Sequence, residues 1–291
     1  MTDNLNNYLE HIVIQQMQPA DIPDGMRFKT AAGWNQTEAD WKLYLDASPD
    51  GCFAAVFEGR IVGTVTTLVY DTTFAWIGMM LVDPEYRRRG IATSLMRYAM
   101  DYLSEIETIK LDATPAGKKV YDRLGFREEY PLRRMTLGNL PLIHSTTTNI
   151  TLITEDDFKE IAKKDIVVFG ANRMQVLKAL ARNNPGTAKK IIRNGAIAGY
   201  CMGRPGTNFY QIGPVVADTG QDAICLAQEV MSTLTGHAVV IDVPVQQQGF
   251  MEWIVSLGFT EQRLLIRMYY GDSAHPGQPD NVYAICGPEL G

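Results

Sequence analysis

The chain has 291 residues with a net charge of −6, and its apolar fraction of 46% is enough to build more than one globular core. No run of about 18 apolar residues is present to span a membrane, and the polar segment 1–11 lacks the apolar core of a signal peptide, so we expect a cytoplasmic protein. Basic residues are outnumbered in both halves (15 against 19 acidic residues in 1–145, 12 against 14 in 146–291), which argues against a nucleic-acid partner.

The first half alternates runs of strand-like and helix-like hydrophobicity. In chain order, these runs predict a strand at 11–17, helices at 21–33 and 36–46, an antiparallel meander at 52–59, 60–71 and 74–83, a long helix at 90–106, a strand at 108–114, a short helix at 117–125 and a strand at 132–138. Ile91, Leu95 and Ala99 recur at helical spacing, so one face of the long helix should be buried. Strands and helices mixed in this way predict an α+β fold.

The second half repeats the pattern of the first. The segments EGRIVGT, FAWIGMMLVDP and DRLGFREEYPLRRM have counterparts, in the same order, in NGAIAGY, FYQIGPVVADT and VSLGFTEQRLLIRM. The interval from Phe126 to Met135 recurs between Phe259 and Met268. Several matched blocks in one order indicate two copies of one fold.

The repeat predicts two domains, at 1–145 and 146–291. They would be joined through the Ser/Thr/Asn-rich segment LIHSTTTNI, which interrupts the hydrophobic periodicity. Thr154 and Asp157 then have the spacing of a capping box, which predicts the start of a helix.

The segment VDPEYRRRGIA places three arginines directly before the long helix. Cations are disfavoured at a helix N-terminus, where unpaired N–H groups and the helix dipole attract anions. Gly90 permits a positive φ, and the N–H groups of residues 88–93 would then converge on one point. The equivalent segment of the second half, VVADTGQDAICL, is shorter and has no arginine, so the fold itself does not require the basic run. The run therefore indicates an anion site that suits a pyrophosphate, the alternative being a solvated basic loop.

The segment LVDPEYRRRGIATSLM resembles the coenzyme A loop of the GNAT superfamily of N-acetyltransferases. The family signature, R/Q-x-x-G-x-G/A, is matched by Arg87, Gly90 and Ala92, and VYDRLGF resembles the family's Tyr-x-x-x-Gly-Phe helix. The resemblance covers roughly residues 10–138, and the second half resembles the same fold without its cofactor loop. It implies two tandem GNAT-like domains, each a mixed, mostly antiparallel sheet flanked by helices. The first would be catalytic and the second degenerate, with acetyl-CoA as co-substrate and no metal.

From the resemblance, main-chain atoms would hold most of the cofactor. The pantetheine and thioester would lie along Met80, Leu81 and Val82, where this strand splays from the next. The amides of residues 88–93 would hold the pyrophosphate. Thr114 stands where the family often has an asparagine that contacts the cofactor. The implied cofactor residues are Met80, Leu81, Val82, Arg87, Arg88, Arg89, Gly90, Ile91, Ala92, Thr93 and Thr114.

Tyr121 is the residue that the resemblance implies as general acid, to protonate the leaving thiolate. The equivalent position in the second half is Ile254, so the tyrosine and the basic loop are absent together. Asp112 could act as general base, but Asp242 holds the same place in the copy without the loop, which favours a structural role such as capping a turn. Asp71 and a water relay are the alternatives.

Trp34 and Asn35 lie in a break between two helices, where they could line an acceptor pocket. Residues 1–50 carry eight acidic and three basic side chains, which would attract a cationic amine. The resemblance implies direct acetylation in a ternary complex, and these residues favour a primary amine of a small molecule as the acceptor. We expect a monomer or homodimer without a nucleic-acid or membrane partner. The alternatives are acetylation of protein N-termini or lysines, and a non-catalytic acyl-CoA sensor.

The cysteines and histidines show no metal-binding spacing. The sequence contains neither a CxxC nor an HExxH motif, so a zinc site is not expected. In a reducing compartment, the four cysteines are predicted to be small buried hydrophobic residues. They are Cys52, Cys201, Cys225 and Cys286.

Overall fold

The computed structural model describes residues 11–71, 73–145, 148–272 and 277–291. Most of the polar N-terminal segment and part of the predicted linker, at 146–147, lie outside the described residues. The strands are β1 Ile12–Gln16, β2 Cys52–Phe57, β3 Arg60–Tyr70, β4 Phe74–Val82, β5 Thr108–Ala113, β6 Arg127–Leu137, β7 Ile150–Leu152, β8 Lys189–Arg193, β9 Ala196–Arg204, β10 Tyr210–Ala217, β11 Val239–Pro244, β12 Thr260–Gly271 and β13 Val282–Ala284. The α-helices are α1 Ile22–Ala31, α2 Glu38–Ala47, α3 Ile91–Tyr102, α4 Pro115–Arg123, α5 Phe158–Phe169, α6 Met174–Asn183, α7 Gly220–Ser232 and α8 Gln248–Ser256.

All the elements predicted for the first half are present, and two boundaries differ clearly from the prediction. Helix α3 ends at Tyr102 because the next residues close a turn, in which the Ile106 N–H donates to the Leu103 carbonyl oxygen (2.9 Å). Strand β6 begins at Arg127 rather than Leu132 because its first residues pair with β12. That partner comes from the second half, so the local pattern around residue 127 does not reveal it.

The second half opens with the short strand β7 and the predicted capping box. The Asp157 carboxylate accepts hydrogen bonds from the Thr154 N–H (2.7 Å) and from the Thr154 hydroxyl (2.7 Å). The box begins a single 3-10 turn, Glu155–Asp157, which leads directly into α5. It therefore starts a helical segment as predicted.

The described strands form one mixed sheet in which the two halves exchange strands β6 and β12. The order is β1-β2-β3-β4-β5-β12-β6-β11-β10-β9-β8-β7, with β13 beside β10. Strand β12 lies between β5 and β6, antiparallel to both, and β6 in turn pairs with β11. Of the described strand pairs, β4–β5 and β10–β11 are parallel and the others are antiparallel. The fold is thus the mixed α+β arrangement that the sequence predicts, but one sheet runs through both halves.

Two buried ion pairs join the exchanged strands. The Arg267 guanidinium on β12 donates to both carboxylate oxygens of Asp112 on β5 (3.0 Å each). Arg134 on β6 binds Asp242 on β11 in the same way (2.7 and 2.8 Å). In each case the two residues stand directly opposite each other in the strand ladder. The same bridge is therefore built twice, once at each exchanged strand.

A shared hydrophobic core joins the halves on one face of the sheet. It contains Trp41 on α2, Trp76 on β4 and Phe169 on α5. The segment 285–291 passes through this core, where the Trp76 indole N–H donates to the Pro288 carbonyl oxygen (2.9 Å). Two further cores lie beneath α3 and beneath α7, and each includes an exchanged strand, with Ile266 and Met268 of β12 in the first and Met135 of β6 in the second. No helix in the described part of the chain is both long and apolar enough to cross a membrane.

Candidate active site

Strand β4 separates from β5 halfway along its length. The parallel pairing between them ends at Trp76 and Lys110. Beyond that point β4 contains a bulge at Met79, whose φ is +45°, opposite a register shift in β3. The edge of β4 that faces β5 is therefore unpaired along Met80, Leu81 and Val82. This is the splay at which these three residues were expected to offer main-chain groups.

The basic loop after β4 ends in left-handed backbone. Arg88 has a φ of +62° and Gly90 a φ of +84°, and Gly90 is the N-cap of α3 without a side chain to cap it. The first N–H groups of α3 consequently have no side-chain cap, as the expected anion site requires. The Arg87 Nε donates to the Val82 carbonyl oxygen (3.2 Å), while the Arg89 guanidinium lies over the Tyr86 ring (5.2 Å).

Asp83 fixes the start of this loop. Its carboxylate accepts from the Glu85 N–H (3.1 Å) and forms an ion pair with Arg27 on α1 (2.5 Å). Burial opposes ionisation of Asp83, but the Arg27 hydrogen bond and the Glu85 N–H outweigh it and lower the pKa of this carboxyl.

The equivalent junction of the second half is closed by its own side chains. Thr219 caps α7 by accepting from the Asp222 N–H (3.2 Å), and Asp222 forms an ion pair with Arg193 (2.7 Å). Here the helix N-terminus already has a side-chain partner and a carboxylate beside it. The two halves therefore differ at this point in the way that their sequences predict.

Two adjoining cavities meet at the splay. An outer cleft of about 330 Å³ runs along β4 towards Arg87 and Ala92. An inner cavity of about 60 Å³ continues into the molecule beside Ile77, Gly78 and Met79. The residues that line both are Trp34, Met80, Asp112, Thr114 and Tyr121.

Tyr121 on α4 stands at the junction of the two cavities. Burial raises the pKa of its phenol to about 12, so that the hydroxyl keeps its proton at neutral pH. Its ring packs against Phe126 (5.9 Å between centroids). The equivalent Ile254 is fully buried in the core of the second half. Thr114 also reaches both cavities, but its hydroxyl caps α4 by accepting from the Gly117 N–H (3.1 Å).

The carboxylates considered as general bases are both engaged elsewhere. Both oxygens of Asp112 bind Arg267, and burial raises the pKa of Asp112 against the influence of that arginine. Asp71 accepts from the Asn172 N–H (2.9 Å) and lines neither cavity. The predicted structural role of Asp112 fits this geometry, although an arginine replaces the expected turn as its partner.

Trp34 and Asn35 take different roles. Trp34 lines both cavities, as predicted. The Asn35 side chain instead accepts from the N–H groups of Asn208 (3.0 Å) and Phe209 (2.9 Å) and donates to the Phe209 carbonyl oxygen (3.0 Å). The expectation that Asn35 lines the acceptor pocket is therefore not supported, because its amide joins the two halves. Gln36, the next residue, lines the inner cavity.

The sequence did not reveal the residues that the second half contributes. Arg263 and Leu265 on β12, together with Pro288 and Glu289, line the inner cavity. Gly78 lets the Glu289 main chain lie directly against β4, since a Cβ at position 78 would be only 3.0 Å from the Glu289 carbonyl oxygen. No short motif marks these residues. Arg263 and Leu265 reach the first half on the exchanged strand β12, and Pro288 and Glu289 reach it on the segment 285–291.

Two residues that line the inner cavity each have a buried acceptor atom without a hydrogen-bond donor among the described residues. These atoms are Oε1 of Gln36 and Oε2 of Glu289. The other carboxylate oxygen of Glu289 binds Arg204, which also pairs with Asp40 (2.9 Å). Burial raises the pKa of Glu289, and Arg204 opposes this shift. A buried acceptor without a hydrogen-bond donor costs free energy, so an N–H donor would stabilise each of these atoms.

The four cysteines are not joined to one another. Cys52, Cys201 and Cys286 are buried as predicted, whereas Cys225 is partly exposed, and all four are free thiols. Among the described residues, no three histidine, cysteine, aspartate or glutamate side chains are grouped to hold a metal ion.

Both halves match models of one family. Residues 20–126 match the acetyltransferase (GNAT) family, and residues 161–284 match an acetyltransferase (GNAT) domain. Holothin acyltransferase from Pseudoalteromonas sp. (strain SANK 73390) is 26% identical over 100% of both chains. A solved structure of a candidate acetyltransferase from Pyrococcus horikoshii has a TM-score of 0.82 at 25% identity and covers 97% of this chain and 96% of its own. A tandem GNAT protein from the clavulanic acid biosynthesis pathway shares the fold, with a TM-score of 0.64 at 14% identity over 89% and 98% of the two chains.

Proposed function

Because the chain is a tandem member of the GNAT superfamily and an acyltransferase, we propose that its first half moves an acetyl group from acetyl-CoA to a primary amine of a small molecule. The transfer would be direct, within a ternary complex. The observation that carries the proposal is the meeting of two cavities at Tyr121 and the open edge of β4.

The outer cleft fits coenzyme A. The uncapped N-terminus of α3, with left-handed backbone at Arg88 and Gly90, suits a pyrophosphate. The unpaired edge at Met80, Leu81 and Val82 can accept the pantetheine as an additional strand-like partner. The basic side chains of residues 87–89 supply countercharge. At the equivalent junction of the second half, Thr219 caps α7 and no basic loop precedes the helix. We therefore expect a single cofactor site per chain.

The chemistry follows from what lies at the junction. A main-chain N–H on the open edge near Met80 would polarise the thioester carbonyl. Tyr121 would protonate the thiolate as it leaves, which its raised pKa permits because the phenol is protonated at neutral pH. Trp34 and the walls of the inner cavity would hold the amine in line with the carbonyl carbon.

The inner cavity supports an amine of a small molecule as acceptor. The unpaired oxygens of Gln36 and Glu289 can accept hydrogen bonds from an N–H donor. The second half forms one wall of the cavity through residues 263, 265, 288 and 289, which encloses it and disfavours a protein substrate. The full-length relative is named for acylation of holothin, which also supports a small acceptor.

We further propose that the enzyme acts in the cytoplasm, as a monomer or homodimer. The four free thiols support the cytoplasmic assignment, because free thiols are usual in a reducing compartment.

Replacing Tyr121 with Phe tests the proposal. With acetyl-CoA and a broad panel of primary amines, we expect thiol release by Tyr121→Phe to fall by about 100-fold or more, because general acid catalysis typically contributes that much. Tyr98→Phe is the matched control, since Tyr98 is 43% exposed on α3, away from both cavities. Undiminished release by Tyr121→Phe would contradict the assigned role. Tight binding of acetyl-CoA without turnover of any amine would instead indicate a non-catalytic sensor.

A further inference from the structure

Arg263 is a cation on the wall of the inner cavity that has no partner in the described part of the chain. It lies on β12 and is half-buried, and it makes no ion pair or hydrogen bond with a described residue. The other buried charges around the cavity are compensated. Arg134 binds Asp242, Asp112 binds Arg267, and Glu289 binds Arg204.

The neighbours of Arg263 increase its need for a negative charge. Arg263 stands directly opposite Arg134 in the β12–β6 ladder, and like charges in that position repel each other. Asp242 is the nearest compensating carboxylate, but Arg134 (2.7 and 2.8 Å) and Gln211 (3.1 Å) already occupy its oxygens. Burial, and then the charge of Arg134, lower the pKa of Arg263 from its ordinary value, with Asp242 opposing the shift.

The same cavity therefore offers two kinds of unused binding group. Gln36 and Glu289 present acceptor oxygens without donors, and Arg263 presents donors without an acceptor. All three residues line the same inner cavity. A ligand that satisfies all three must carry an N–H group and an anion.

We propose that the acceptor is an aminocarboxylate, whose amine lies against Gln36 and Glu289 and whose carboxylate is bound by Arg263. This inference rests on the proposed function. A carboxylate matches the planar fork of a guanidinium, which can bind both of its oxygens at once. Because Arg263 lies on the exchanged strand, the second half selects the substrate for the active site of the first.

The test compares amines that differ only in the anionic group. Amino acids of several chain lengths and side chains are each paired with their own carboxamide, and kcat/KM with acetyl-CoA is measured for both members. For the best pairs we expect the wild-type protein to prefer the carboxylate by about 10- to 100-fold, as for hydrogen bonds to charged groups. In Arg263→Gln this preference should fall to about 2-fold or less, with the carboxamide rates nearly unchanged, because only the carboxylate uses that guanidinium.

Arg133→Gln is the matched control. Arg133 is the neighbour of Arg134 on β6, but its side chain is 51% exposed and pairs with Glu261 (3.2 Å). This variant loses the same charge and should retain the full preference. Arg263→Lys keeps the charge without the planar fork and should restore part of the preference, which a purely structural role for Arg263 would not predict.

Equal rates for acids and carboxamides in the wild-type protein would overturn the inference, as would an equal loss for both in Arg263→Gln. In either case, thiol release that still depends on Tyr121 would leave the proposed acetyltransferase function standing. If no amine of any kind were acetylated, the proposed function itself would fail, and this inference with it.

Discussion

At the scale of single residues, backbone conformation distinguishes the basic loop before α3 from the equivalent junction before α7. Gly90 and Arg88 both adopt left-handed backbone, and the N-cap of α3 has no side-chain cap. Thr219 and Asp222 close the same position in the second half. The proposed binding of a phosphate group would explain the basic run that looks unfavourable at a helix start, because the arginines and the uncapped N-terminus of α3 could both hold that group.

Gly90→Ala should weaken the binding of coenzyme A. An alanine in left-handed backbone costs about 1 kcal/mol or more, and the loop can avoid this cost only by turning its amides away. Gly59→Ala is the matched control, because Gly59 also has a positive φ (+76°) with open space around it, in the turn between β2 and β3. Calorimetric titration with coenzyme A should show reduced affinity only for Gly90→Ala, while thermal unfolding should show similar destabilisation of both. Equal affinity in the two variants would refute the assignment of this loop.

At the scale of elements, the exchanged strands depend on the two buried arginine–aspartate bridges. Asp242→Asn removes one partner and leaves Arg134 buried without a counter-ion, so we expect a loss of about 3–5 kcal/mol in the free energy of unfolding. Glu261→Gln breaks the exposed Arg133 pair between β6 and β12 and should cost less than about 1 kcal/mol. Urea unfolding measures both values. Similar losses in the two variants would show that the buried bridge does not stabilise the exchange.

The sequence predicts the elements well because each is encoded locally. The helical spacing in α3, the capping box at Thr154 and the position of Tyr121 at the cavities all follow from nearby residues. The strand exchange does not follow from nearby residues, because the repeat leaves two pairings open. From the sequence, Asp112 could pair equally well with Arg134 of its own half or with Arg267 of the other. Arg263 reaches the site on the exchanged strand and Glu289 on the segment 285–291, so no local pattern could have indicated either residue.

At the scale of the whole molecule, one sheet and one shared core should make the two halves unfold together. The core between them contains Trp41 and Trp76 from the first half and Phe169 from the second. In a Trp253→Phe variant, the three remaining tryptophans all lie in the first half, two of them in the shared core, while far-ultraviolet circular dichroism reports on the entire chain. We expect the urea midpoints from the two signals to coincide. Separate midpoints would mean that the halves are independent despite their common sheet.

Two similar copies that exchange a strand, here β6 and β12, have the architecture of a domain-swapped homodimer. When the two copies are joined in one polypeptide, each exchanged strand is always present at high effective concentration. Pairing between the copies then no longer depends on how much protein the cell makes. In a homodimer, a mutation in the basic loop would be present in both copies. In the fused chain, the second copy can differ from the first at this loop and at the position of Tyr121, provided that it keeps the strand, and its other residues can line the cavity of the first copy, as Arg263 and Leu265 do.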